Sequence, residues 1–73
     1  MNIKEDIRVE KTLNITENDV VNGGEVLVLV AYAIKENEDL YSFPSPQIFS
    51  NEIYEKNKTE YDNAVKGFRA KCE

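Results

Sequence analysis

The chain contains no histidine and no tryptophan, one cysteine, three glycines and two prolines among its 73 residues. Each shortage closes a class of explanation. Without histidine the commonest general base, the usual metal ligand and the neutral-pH switch are all missing. One cysteine forms no internal disulfide, and without imidazole partners it builds no ordinary structural zinc site. Cys72 stands next to last, where a fraying terminus would not hold a nucleophile in register with a base. No serine, tyrosine or carboxylate pairs with another in a recognisable catalytic spacing. The expectation is therefore a protein with no catalytic residues, no metal and no cofactor.

Long apolar runs are also scarce. The longest, Val26 to Ile34, is too short to cross a bilayer, and the opening MNIKEDIRVE puts charges where a secretory signal needs an unbroken apolar stretch. With its lone thiol, the chain reads as cytoplasmic, with no membrane as a partner. The sequons Asn14-Ile15-Thr16 and Asn57-Lys58-Thr59 are short enough to arise by chance in an Asn-rich sequence.

What the chain does have, 41% hydrophobic and 32% charged residues, describes one small folded domain over residues 1–73. Its size makes it marginal. Burying roughly 4,500 Å² of apolar surface at ~25 cal/mol per Å² gives ~110 kcal/mol, and ordering 73 residues at ~1.5 kcal/mol each costs about as much. With neither disulfide nor metal to close the gap, a partner subunit is the expected remedy.

Apolar periodicity supplies the elements. Ile7, Val9, Leu13 and Ile15 alternate with polar residues, the period of a half-buried strand over about 6–15, with Lys11 intruding on the apolar face as an edge strand allows. Thr16 to Asp19 could cap one helical turn closed by Asn22-Gly23-Gly24, or the same residues could form a plain turn. Glu25 to Ile34 reads as a second strand over about 25–34 that is apolar on both faces, Val26, Val28, Val30, Tyr32 and Ile34 on one and Leu27, Leu29, Ala31 and Ala33 on the other; a buried helix is the competing reading.

Ser45-Pro46 and Ser50 are two possible starts of a helix running to about 71. Ile53, Tyr54, Tyr61, Ala64, Val65, Phe68 and Cys72 fall on one stripe of it, interrupted by Asn57. Gly67, at the margin of that stripe, would let the helix lie close to the sheet. The fold class expected is α+β: a two-stranded antiparallel sheet with a long C-terminal amphipathic helix. One helix covers one face of a sheet, so the Val26, Val28, Val30, Tyr32, Ile34 face is expected to meet a second copy, most simply in a dimer.

Function is read from what is left. Residues 24–50 carry Glu25, Glu36, Glu38 and Asp39 against Lys35 alone, a local balance of −3. Beside that acidic connector, Leu40-Tyr41-Ser42-Phe43-Pro44-Ser45-Pro46 offers two aromatics next to prolines. The leading expectation is a small, non-enzymatic interaction or regulatory protein, homo-oligomeric, touching a larger protein through Tyr41 and Phe43 with Glu36, Glu38 and Asp39 as a steering rim. The structural reading of the same segment is that Leu40 and Phe43 cap the core where the chain crosses from sheet to helix. An alternative is an acidic mimic of nucleic acid, of the phage or mobile-element type, that inhibits a DNA- or RNA-binding enzyme. A lesser alternative is a DNA-binding dimer similar in element order to ribbon-helix-helix proteins, opposed by Gly23-Gly24 inside the would-be first helix and by Arg8 as the lone base on the outward strand face. Nucleic acid is not the expected partner.

Overall fold

The computed structural model describes residues 1–6, 11–37 and 40–73. Among these residues five strands come first: β1 (Asn2–Asp6), β2 (Lys11–Asn18), β3 (Glu25–Asn37), β4 (Leu40–Ser42) and β5 (Gln47–Ile48). Two helices follow, α1 (Asn51–Lys56) and α2 (Lys58–Cys72). All pairings are antiparallel, in the order β1-β2-β3-β4, with β5 also on β3. The α+β class and the C-terminal helix are as the sequence indicates. The two-stranded sheet is not.

The correction begins at the N-terminus. The expected strand over 6–15 is parts of two strands paired with each other, Ile3 opposite Ile15 and Glu5 opposite Leu13, so β2 lies inside the sheet and β1 forms its edge. Ile7, Arg8 and Val9 fall outside the described residues. Leu13 and Ile15, the other half of the expected apolar row, are both wholly buried. Lys11 does not mark an edge; it pairs opposite Ala33 and its ammonium sits 5.7 Å from the centre of the Tyr41 ring.

Between β2 and β3 the chain makes a turn with no helix in it. The Asp19 carboxylate accepts hydrogen bonds from the backbone N–H of Val21 and Asn22, each 3.0 Å, while the Asp19 N–H donates to the Gly24 carbonyl at 2.9 Å. Gly23 and Gly24 have φ of 77° and 80°, which side-chain-bearing residues rarely adopt, so their place here is conformational.

β3 is a strand, settling the competition with a buried helix, and its pairing explains how its two faces are assigned. Ile15 pairs with Leu29 but Thr16 with Leu27, a bulge that leaves Val28 as the extra residue. Val28 and Leu29 consequently both enter the core, with Ala31 and Ala33 beyond them. Past the bulge the opposite face carries Val30, Tyr32 and Ile34, and before it Leu27. The single row from Val26 to Ile34 expected from simple alternation is split in two.

The expected helix over 46/50–71 is two helices. Pro46 lies outside any helix, β5 occupies Gln47–Ile48, and Ser50 precedes α1 without a side-chain cap. Asn57, the polar interruption of the stripe, is where the helix breaks: its φ of −135° is non-helical, its N–H closes α1 on the Tyr54 carbonyl and its own carbonyl accepts from Glu60 and Tyr61 to open α2. The stripe itself packs as its period requires. Tyr61, Val65, Phe68 and Cys72 are buried, with Ile53, Tyr54 and Ala64 packed partly against them. Gly67 is exposed, and a Cβ placed there would meet nothing within 4 Å, so close approach to the sheet does not account for it.

Candidate protein interaction surface

Directly paired residues of an antiparallel sheet share a face, which sorts the side chains without ambiguity. On the helix side lie Leu13 and Ile15 of β2, then Glu17, whose carboxylate accepts a hydrogen bond from the buried Tyr61 hydroxyl and forms an ion pair with the N-terminal amine at 2.9 Å. These two donors, the tyrosine first, hold the Glu17 carboxyl below its ordinary 4.5. Burial first, and then the same carboxylate, pushes the Tyr61 phenol well above 10.0. The pair fastens the first turns of α2 to the far end of β2. At the other end Lys71 reaches Glu5 of β1 at 3.1 Å. Cys72 lies in this core with its thiol pushed up by burial, an environment that suppresses the thiolate.

The residues expected to touch a larger partner mostly belong to this side too. Tyr41, opposite Lys35 on β4, is half-buried against the core beneath the Lys11 ammonium. Phe43 is half-buried likewise, with the Arg69 guanidinium 5.6 Å from its ring centre. They cap the core where the chain passes from sheet to helix. Glu36 is exposed and accepts a hydrogen bond from the Ser42 hydroxyl at 2.8 Å. Glu38 and Asp39 lie outside the described residues.

Among the described residues no helix lies over the opposite face of the sheet, since α1 and α2 both pack against the core. Its β1 and β2 rows are polar, with Asn2 and Lys4 alongside Asn14 and Thr16 around a shallow hollow. Its β3 row is apolar: Leu27 is 36% exposed, Val30 7% and Ile34 51%, with Tyr32 half-buried between them. Elsewhere on the chain Leu40 and Phe49 are also exposed, at 55% and 51%. Of the five residues expected in an oligomer interface, Val30, Tyr32 and Ile34 therefore lie together on this face. Val28 does not; it is wholly enclosed in the chain's own core, and Val26, opposite Glu17, is half-buried on that same side.

Sequence reasoning missed Leu27, which the bulge moves to the open face, and the turn residues Val20 and Val21, which stand 97% and 89% exposed. Two β-branched side chains beside an Asn-Gly-Gly turn were the available signal for the latter. Among the described residues no three acidic or cysteine side chains gather as a cation site, and no helix is long and apolar enough to cross a membrane. Compared with protein-family models, curated proteins and solved structures, the chain has no match.

Proposed function

We propose that the chain is a small, non-enzymatic interaction or regulatory protein that works as a homo-oligomer, a dimer in its simplest form, and serves a larger protein partner. One observation carries this reading: among the described residues the helices cover one face of the sheet, and Leu27 and Ile34 are left exposed on the other. A 73-residue chain whose burial and ordering terms nearly cancel gains from covering that surface. For the larger partner, Tyr41 and Phe43 offer less than their sequence promised, because each already has a cation of the chain over its ring. The turn at Val20 and Val21 offers more.

The acidic-mimic alternative has less support. Of the three connector acids, only Glu36 is described, and its carboxylate is engaged by Ser42. The ribbon-helix-helix alternative also has less support, because that order places helix where β3 runs.

Light scattering across a wide dilution range, with a thermal melt at each concentration, tests the reading. The expected result is a mass above 8.4 kDa that falls on dilution and a melting temperature that rises with concentration. A monomer with a concentration-independent melt overturns it.

A further inference from the structure

We infer that the second copy docks face to face on the open sheet, giving a closed two-fold dimer of four layers, helix, sheet, sheet and helix. The inference rests on the homo-oligomer reading above and adds which surface is buried and in what geometry.

Charge placement is the first argument. Although 32% of the residues are charged, the inner rows of the open face, from Thr12, Asn14 and Thr16 on β2 to Val30, Tyr32 and Ile34 on β3, carry no charge. Lys4 on the edge strand and Glu25 and Glu36 toward the ends of β3 form the rim. A solvated sheet face ordinarily spreads charged side chains along its polar positions, whereas the centres of homodimer interfaces are depleted of them. Hydroxyls and amides both donate and accept, so such a face does not repel its own copy.

Size is the second. The molecule measures 45 × 22 × 16 Å, so a broad side is bounded by at most about 1,000 Å², room enough for the ~800 Å² per partner of a standard interface. Shape agrees. The radius of gyration is 13.0 Å where about 11 Å is usual for this length, and the accessible surface is 5192 Å² where roughly 4,600 Å² is usual for this mass. A slab with a sheet bare on one side has that excess, and a second slab stacked at ~10 Å removes it. Since the same patch is used by both copies, assembly stops at two.

The test is the molar mass of full-length variants at matched concentrations. Leu27→Asp and Ile34→Glu place charge in the proposed interface at positions already exposed in the single chain. Thr16→Lys, opposite Leu27, does so without removing any apolar side chain. Val20→Asp puts the same charge on the turn. The expected result is a dimer for the parent chain and for Val20→Asp, and at least tenfold weaker dimerisation for the other three, with circular dichroism unchanged. If the parent is a dimer that Leu27→Asp, Ile34→Glu and Thr16→Lys leave intact, the copies meet elsewhere and this inference falls while the homo-oligomer reading stands. If the parent is monomeric at every concentration, both fall, and the open face belongs to a different protein.

Discussion

The two faces of β3 are built from the same kinds of residue and are buried to different extents. Val28, Leu29, Ala31 and Ala33 on one side are buried under Tyr61, Val65 and Phe68; on the other Val30 is buried and Tyr32 half-buried, while Leu27 and Ile34 at the two ends of the row are exposed. Hydrophobicity does not distinguish them. What does is whether an element is left to cover the face, and among the described residues none is left after the two helices. The lesson is that a doubly apolar strand in a short chain builds its own core on one side and keeps exposed apolar side chains on the other.

The largest effect should come from breaking the covered side. Phe68→Ala removes a ring that is 1% exposed and is expected to cost about 3–5 kcal/mol, enough to unfold a domain this small, seen as loss of the cooperative melt. Next is the polar fastening of that side. Glu17→Gln is expected to cost about 1–2 kcal/mol at pH 7, read by denaturant unfolding. Because the folded Glu17 carboxyl lies below 4.5, its contribution is fully present above that value and is lost as pH falls through the lower folded one. Acid should therefore destabilise the parent more steeply below pH ~4.5 than it does Glu17→Gln, and parallel curves would contradict this.

Gly67→Ala acts outside both faces and has the opposite sign. The site is helical, exposed and sterically open, so a gain of roughly 0.8–1 kcal/mol is expected in the same unfolding assay. Smallest is Ile34→Ala, which should change the stability of the dilute monomer by less than about 0.5 kcal/mol while weakening association.

Much of the covered side was legible in the sequence. The stripe from Ile53 to Cys72 and the pair Leu13 and Ile15 are repeated patterns, and they pack as their periods require. The open side was legible only in part. Alternation places Val26 and Val28 with Val30, and a bulge inside an all-apolar run leaves no polar residue out of step to betray the shift. β1, with one apolar residue among Asn, Lys, Glu and Asp, is a strand because β2 pairs with it and not through its own propensity. β4 and β5, three and two residues long, are too short to show a period. Tyr41 and Phe43 drew attention as a partner site because sequence does not reveal that Lys11 and Arg69 arrive over their rings.

The most direct test of the contrast between the faces is the accessibility of methyl groups to a soluble paramagnetic probe, measured by NMR at high and low protein concentration. The account predicts that Leu13 and Ile15 are shielded throughout, that Val20 and Val21 are accessible throughout, and that Leu27 and Ile34 are shielded at high concentration and exposed on dilution. Leu27 and Ile34 methyls as accessible as those of Val20 at every concentration would contradict it.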